Sequence, residues 1–317
     1  MILLIGEGEN ESMSKRILAE LQKQHIDVIW IDQNSLPVEN RIYFYPEKGK
    51  VKGSICFHGE ITIDIEDFSG IYSRMSFLNV DLNLNQHQED FLQVERSIAL
   101  DAWLEHANTI VVNPIKSQRS NGSKLYQSWV VQKYGFKIPQ CLVTNNPNKA
   151  VDFYDRNKTN GVIYKSASGE RSIVKKLNDE DLERFNNLAG CPTLFQSFVP
   201  GVDIRIHTLV TGEVFATEIV SHDSDYRYDS DRSTRPIEIP DKLKETCINL
   251  TRDLGLYLSG IDTRKTPDGD YYCFEVNPSP AFSWYEDQTG QPIANAVANM
   301  LINGKDIYKS GIVKRKY

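Results

Sequence analysis

Near its C-terminal end the chain reads Tyr257-Leu258-Ser259-Gly260-Ile261-Asp262-Thr263-Arg264, then Thr266-Pro267-Asp268-Gly269, then Asp270-Tyr271-Tyr272-Cys273-Phe274-Glu275-Val276-Asn277. Two apolar-rich runs flank a Pro-Asp-Gly turn, so the stretch predicts a hairpin with strands Tyr257–Arg264 and Asp270–Val276. Side chains alternate along a strand, which puts Glu275 and Asn277 on one face, opposite Phe274 and Val276. Asp262 and Glu275 are acids embedded in apolar strands, and such acids need a partner or a metal. Two carboxylates and an amide oxygen are hard ligands of the kind magnesium takes while leaving positions for phosphates. The alternative reading is two solvent-facing acids beside a turn.

Upstream, Asp203-Ile204-Arg205-Ile206-His207 lies in a predicted strand Asp203–Val210 that places Asp203, Arg205 and His207 on one face. Arg205 then offers a planar fork suited to phosphate oxygens, or else a cross-strand salt bridge. Lys165 ends the apolar strand Val162–Lys165 and is followed by Ser166-Ala167-Ser168-Gly169-Glu170-Arg171-Ser172, a small-residue loop able to fold over phosphates. Lys124 opens a helix predicted over Ser123–Tyr134 and ended by Gly135. On its own it reads as a solvated lysine.

The remaining pattern is α/β. Strands at Ile2–Ile5, Asp27–Ile31, Gly70–Ser73 and Thr109–Val112 alternate with helices at Glu11–Gln24, capped by Ser12, and at His87–Glu105. With short strands at Ile42–Tyr45, Ser54–Phe57 and Ile61–Ile65, this suggests a mostly parallel sheet faced by helices. A second unit begins near Pro114, with strand Cys141–Val143 and helix Pro147–Arg156. A third begins near Cys191, with strands Thr193–Val199 and Glu213–Val220 and helices Asp241–Leu254 and Ala294–Leu301.

Bulk properties narrow the function. With 317 residues the chain fits two or three compact units, and 40% apolar residues suffice for real cores. A net charge of −7 gives no bulk attraction to nucleic acid or to an anionic membrane. No apolar run is long enough for a membrane span and no basic leader opens the chain, so the expectation is a cytoplasmic protein. The five cysteines are scattered without a CxxC, so they predict mostly buried, inert thiols rather than disulfides or zinc. Walker A, kinase and GxSxG signatures are absent, so a nucleotide site here must be of another kind.

In order and spacing these pieces resemble the ATP-grasp superfamily over roughly Lys116–Leu301. The family's two phosphate lysines match Lys124 and Lys165. Its adenine hinge matches Leu194-Phe195-Gln196-Ser197-Phe198-Val199. Asp203, seven residues after Gln196, falls on its ribose-binding acid, and Asp262, Glu275 and Asn277, separated by thirteen and two, match its magnesium motif. Arg205 follows Asp203 as in the D-I-R pattern of the RimK-like branch. Trp284–Ile293 and Ile219–Arg227 are similar to ligases that crosslink microviridin-type peptides (graspetides). Two departures stand out: Ser197 replaces the hinge acid, and Ser279-Pro280-Ala281 lacks a glycine common just after the motif.

The resemblance implies an ATP-grasp fold with an N-terminal α/β domain (1–115), a central lobe (116–190) and a C-terminal lobe bearing the magnesium site (191–317). It implies an ADP-forming ligase that uses ATP and Mg2+ to activate a carboxylate as an acyl phosphate and joins it to an amine or hydroxyl, on a peptide or protein. A small-molecule amino-acid or glutamate ligase is the alternative, and a kinase or non-catalytic ATP-binding protein is the alternative of another class. Arg205 and Lys165 are the expected catalytic cations. Lys124, Lys165, Ser168, Gly169, Gln196, Ser197, Phe198, Val199 and Asp203 are expected to bind ATP. Arg227 in the polar stretch Ser221–Arg235, with Tyr72 and Arg74, is the candidate for substrate contact. No nucleic-acid or membrane partner is expected, and a homo-oligomer follows only by analogy with RimK-like proteins.

Overall fold

The computed structural model describes residues 1–6, 11–32, 40–57, 59–74, 85–168, 175–221 and 232–313. The N-terminal unit grows from β1 (Ile2–Gly6), a strand buried along its whole length. Such a strand needs a cover on each face. Ile2 and Leu4 point into one apolar cluster with Ile17 and Leu21 of α1 (Ser12–Lys23). Leu3 and Ile5 point into another with Trp103 and Leu104 of α2 (Gln86–His106). β1 runs parallel to β2 (Val28–Asp32) and β6 (Gly70–Ser73), and β6 to β7 (Ile110–Val112), in the order β2-β1-β6-β7.

The expectation of one mostly parallel sheet holds for these four strands only. β3 (Asn40–Glu47), β4 (Lys50–Phe57) and β5 (Ile61–Asp64) form a separate antiparallel sheet. The β3–β4 connection is Lys48 at φ 49° and Gly49 at φ 76°, a two-residue turn whose twist suits a hairpin and forces antiparallel pairing. The cap of α1 also differs from expectation. Glu11, not Ser12, accepts the N–H groups of Met13 (3.1 Å) and Ser14, and its carboxylate is held there by Arg74 Nε at 3.3 Å.

The central part contains α3 (Ile115–Gln118), α4 (Lys124–Lys133), β8 (Cys141–Thr144), α5 (Pro147–Asn157), β9 (Val162–Lys165), β10 (Lys175–Lys176), α6 (Asp179–Leu182) and β11 (Thr193–Ser197). Its sheet has the order β10-β9-β11-β8 and packs on Ala150 and Phe153 of α5. β11, which the sequence places at the head of the third unit, is thus a strand of the second unit's sheet, antiparallel to both β8 and β9. Conversely, α4 contributes Val131 to the C-terminal core.

That core lies under β12 (Val202–Leu209), β13 (Val214–Val220), β14 (Ser233–Ile237), β15 (Leu258–Lys265) and β16 (Tyr271–Asn277), ordered β14-β13-β12-β15-β16. Ile204, Ile206, Ile261 and Val276 pack against Cys247 and Leu250 of α7 (Asp241–Asp253), so the alternate residues Arg205, Asp262 and Glu275 face the other way. Burial pushes the Cys247 thiol up to about 12 and raises Cys273 as well, whereas Cys191 is exposed, unlike the rest.

The chain then returns to its beginning through α8 (Ser283–Thr289), α9 (Ile293–Ile302) and α10 (Gly304–Ser310). α9 buries Val297, Met300 and Leu301 against α1 and β6. The approach is so close that a Cβ at Gly70 would lie 2.4 Å from the Leu301 carbonyl oxygen. Among the described residues no helix is long and apolar enough to cross a membrane.

Asn113, 3% exposed, ties the N-terminal unit to the C-terminal sheet. Its Oδ1 accepts from the N–H groups of Tyr257 (2.7 Å) and Leu258 (3.1 Å), and its Nδ2 donates to the carbonyls of Leu258 (2.6 Å) and Pro278. Asn113→Ala strips partners from all of these backbone groups at once. It is expected to cost about 3 kcal/mol or more in urea unfolding with an unchanged m value; a loss below about 1 kcal/mol would mean that water replaces the side chain.

Candidate active site

The site is organised by two copies of one short pattern. Asp203-Ile204-Arg205 on β12 runs antiparallel to Asp262-Thr263-Arg264 on β15, with Asp203 opposite Arg264 and Arg205 opposite Asp262. Antiparallel pairing of D-x-R with D-x-R sets opposite charges across from each other at both positions. Arg205 Nη1 donates to both Asp262 oxygens at 2.8 Å. Arg264 grips Asp203 through Nε and Nη2, each at 2.8 Å. Next along β12, His207 is opposite Gly260, and Arg205 Nε reaches His207 Nε2 at 3.5 Å. Burial, and then the neighbouring Arg205 charge, push the His207 imidazole well down, so it stays neutral beside the guanidinium.

The Arg205 guanidinium passes directly over Gly260. A Cβ there would lie 2.0 Å from Nη2 and 2.5 Å from Cζ. Gly260 is therefore the space the guanidinium occupies. Glu275 stands opposite Asp262 on the adjacent strand, and Asn277 opposite Gly260. The Asn277 Oδ1 accepts the Ser279 N–H at 2.9 Å, which turns the chain out of the strand.

The two lysines meet these carboxylates from the other side. Lys124 is 7% exposed, not solvated as its sequence surroundings suggest, and donates to the Ser168 carbonyl and to Ser166 Oγ (3.4 Å). The Lys124 N–H bonds the Ala167 carbonyl at 3.2 Å, so residues 166–168 fold onto the start of α4. Lys165 is pushed down to about 8, chiefly by burial and also by Lys124, while Glu275 and Asp262 pull it up. Lys165 is thus within electrostatic influence of Lys124, Asp262 and Glu275. The donor set of two carboxylates and an amide oxygen fits magnesium, which takes its remaining ligands from water and phosphate. Among the described residues no group of three or more His, Cys, Asp or Glu forms a metal centre of its own.

At the hinge, Gln196 is 3% exposed and its Oε1 is buried without a partner among the described residues. A buried acceptor in that condition calls for a donor from a ligand or water. Ser197 uses its hydroxyl to accept the Gln140 N–H at 3.0 Å, and its own N–H bonds the Gln140 carbonyl at 2.9 Å. The Phe198 N–H is bonded to Gly161 at 2.9 Å, and the Val199 carbonyl accepts from Arg264 at 3.0 Å. The segment is thus held rigidly, and Ser197 fixes backbone where the family's acid would face the base.

Tyr72 and Arg74 do not lie with this group as open substrate contacts. Tyr72 is 3% exposed in the apolar core, and burial raises its phenol. Arg74 Nη1 donates to the carbonyls of Ser279 (3.0 Å) and Pro280 (3.1 Å), joining β6 to the segment after Asn277. Gly169 and Arg227 fall outside the described residues. Sequence reasoning missed Gly260, Arg264 and Gln127. Gln127 on α4 bonds the Val276 backbone in both directions, Nε2 to O at 2.6 Å and N to Oε1 at 3.0 Å, and so steadies the strand between Glu275 and Asn277. The repeated D-x-R pattern is the signal that could have revealed Arg264.

The chain belongs to the RimK-like ATP-grasp family, whose domain model matches residues 122–301, and it is an ATP-grasp ligase. The alpha-aminoadipate–LysW ligase LysX of Sulfolobus acidocaldarius is 26% identical over 234 residues, 70% of this chain and 83% of that protein. The macrocyclase MdnC of Microcystis aeruginosa MRC, solved with its precursor peptide MdnA, superposes with a TM-score of 0.83 at 22% identity, over 96% of this chain and 100% of that one. The ATP-grasp ligase PsnB, complexed with a variant of its minimal precursor, Mg and ADP, superposes with a TM-score of 0.79 at 24% identity, over 95% and 97% of the two chains. The fold is the one that the resemblance implies.

Two outcomes follow from this geometry. Gly260→Ala drives a methyl into the Arg205 guanidinium, and ATP turnover is expected to fall about a hundredfold, as when one charge-stabilising donor is lost. The loss should match that of Arg205→Ala, and the double variant should be little worse than either; an additive loss would place Gly260 and Arg205 in separate roles. Lys165 is charged below its value of about 8 and neutral above it. ADP binding by calorimetry without added metal should therefore weaken from about pH 7 to about pH 9 in the wild type. In Lys165→Arg, which keeps its charge, it should not; equal pH dependence in both would remove Lys165 from the phosphate site.

Proposed function

We propose that this ligase uses Mg-ATP to convert a carboxylate into an acyl phosphate and then joins that carboxylate to an amine or hydroxyl, on a peptide substrate. The observation that carries the reading is the Arg205–Asp262 ion pair opposite Glu275 on the neighbouring strand, with Lys124 fastened to the residues that follow Lys165. Transfer of a phosphoryl group needs its charge neutralised by preorganised cations in a water-poor site.

In this reading Lys124 and Lys165 hold the α- and β-phosphates, and residues 166–168, already fastened to α4, help cover them. Asp262, Glu275 and Asn277 would hold magnesium, which would supply positive charge to the phosphate oxygens. Arg205 steadies the γ-phosphate and then the acyl phosphate, from which the incoming nucleophile displaces phosphate. The buried Gln196 oxygen suits the amino group of adenine as donor, and Asp203 suits the ribose hydroxyls. Ser168, Phe198 and Val199 line the same path. Gly169 and Arg227 remain proposed contacts to ATP and substrate. The units 1–115, 116–190 and 191–317 serve as N-terminal domain and two grasping lobes, with β11 given to the central lobe's sheet.

The peptide substrate is supported by likeness along nearly the whole chain, N-terminal unit included, to ligases solved with precursor peptides. A second reading, a ligase for a small amino-acid substrate, rests on LysX, whose name pairs alpha-aminoadipate with LysW.

The test is ADP release in the presence of magnesium, with pools of acidic peptides and of free amino acids. Peptides should stimulate the wild type, and Glu275→Ala, which removes a proposed ligand itself, should lose about a hundredfold or more, beyond the roughly 10–100-fold cost of disturbing only the shell around a ligand. Stimulation by amino acids alone would select the small-substrate reading. Turnover unaffected by Glu275→Ala would remove the metal assignment.

A further inference from the structure

Arg264 lies on the metal-bearing hairpin, two residues beyond Asp262, yet everything it grips lies on the segment that precedes and opens β12. Its Nε and Nη2 each hold one oxygen of Asp203 at 2.8 Å, and Nη1 holds the Val199 carbonyl at 3.0 Å. Its guanidinium carbon lies 5.5 Å from the ring centres of both Phe198 and Phe274. The pair is well buried, with the side chains of Arg264 and Asp203 11% and 13% exposed. A guanidinium gripped at three nitrogens and flanked by two rings has one orientation, and a carboxylate held through both oxygens has one as well.

We propose that Arg264 is a positioning residue for nucleotide sugar recognition: it fixes the orientation in which the Asp203 carboxylate meets ribose hydroxyls, and holds the hinge at Val199 in register with the metal hairpin. The inference rests on the reading of Asp203 as the ribose acid. A carboxylate offers about four lone-pair sites, so accepting two bonds from an arginine is compatible with accepting others. Orientation decides whether a hydroxyl meets a lone pair or the carboxylate's edge. The hairpin that carries Asp262 and Glu275 thereby also sets the sugar end of the site, through one side chain and without touching the nucleotide.

The experiment compares dissociation constants of ATP, 2′-deoxy-ATP and 3′-deoxy-ATP by calorimetry in wild type, Arg264→Met and Arg264→Lys, with thermal melting as a check of folding. Wild type is expected to prefer ATP over at least one deoxynucleotide by about tenfold, the size of one charge-assisted hydrogen bond. In Arg264→Met that preference should collapse towards unity. In Arg264→Lys, which keeps the charge but not the two-pronged grip, it should be intermediate. A purely structural arginine would weaken all three nucleotides alike and leave the ratio intact. Retention of the wild-type ratio in a folded Met variant overturns the proposal while the role of Asp203 stands; should Met not fold, retention of the ratio in the Lys variant does the same. A wild type indifferent to the hydroxyls overturns the reading of Asp203 and this proposal together.

Discussion

Two ion pairs between β12 and β15 set the geometry on which the rest of the site depends. Their alignment is self-checking. In the observed register Asp203 meets Arg264 and Arg205 meets Asp262. A slip of one residue would turn the charged face into the core. A slip of two residues would put Asp203 opposite Asp262 in one direction, or Arg205 opposite Arg264 in the other. Like charges facing each other in a half-buried sheet are costly, and removing one member of a buried pair costs about 3–5 kcal/mol. The charges therefore specify which residues meet, more than they add net stability.

With register fixed, several placements follow without further instruction. His207 falls opposite Gly260, and Gly260 opposite Asn277. The gap at Gly260 receives the Arg205 guanidinium, which also lies 5.9 Å from the Tyr285 ring. His207 packs edge-on to that same ring, and its burial keeps it neutral, so it adds no charge beside Arg205. The amides of Asn113 and Gln127 then anchor both strands of the hairpin at its open end, at Tyr257–Leu258 and at Val276. Backbone groups bonded to side chains of other elements make the hairpin a fixed platform rather than a free ribbon.

Much of this was legible in the sequence, for a physical reason. Alternation along a strand depends only on backbone geometry, so the faces of Asp203, Arg205, Glu275 and Asn277 followed from spacing. Of the two readings of Arg205, the cross-strand ion pair is the one the structure shows, with Asp262; the phosphate contact belongs to the proposed function. What stayed hidden depended on contacts distant in sequence. Lys124 looked solvated because nothing near it shows that residues 166–168 fold back onto it. β11 and α4 each pack with a unit other than the one they border in the chain, and neither exchange leaves a local mark. Glu11 displaced Ser12 as a cap because Arg74, from another strand, holds its carboxylate. Position at a strand end, the local feature of Tyr72 and Arg74, is shared equally by a core residue such as Tyr72 and a tie between segments such as Arg74.

The balance of charge bears on which ligand the platform suits. The proposed site sets three cations, Lys124, Lys165 and Arg205, against two acids, Asp262 and Glu275. An excess of positive charge in a partly buried site is stabilised by an offsetting anion, and burial, which lowers Lys165 to about 8, disfavours its charged form. A third acid at position 277 would cancel the excess, strengthen a bare metal site and repel phosphate. Under the proposed metal assignment asparagine would keep an oxygen ligand without the charge, and a divalent ion on two carboxylates already shared with cations would draw much of its affinity from phosphate oxygens that arrive with it. In the proposed reading the site suits a metal and a polyphosphate together rather than either alone, and that joint requirement is what a phosphoryl-transferring ligase needs before a carboxylate enters.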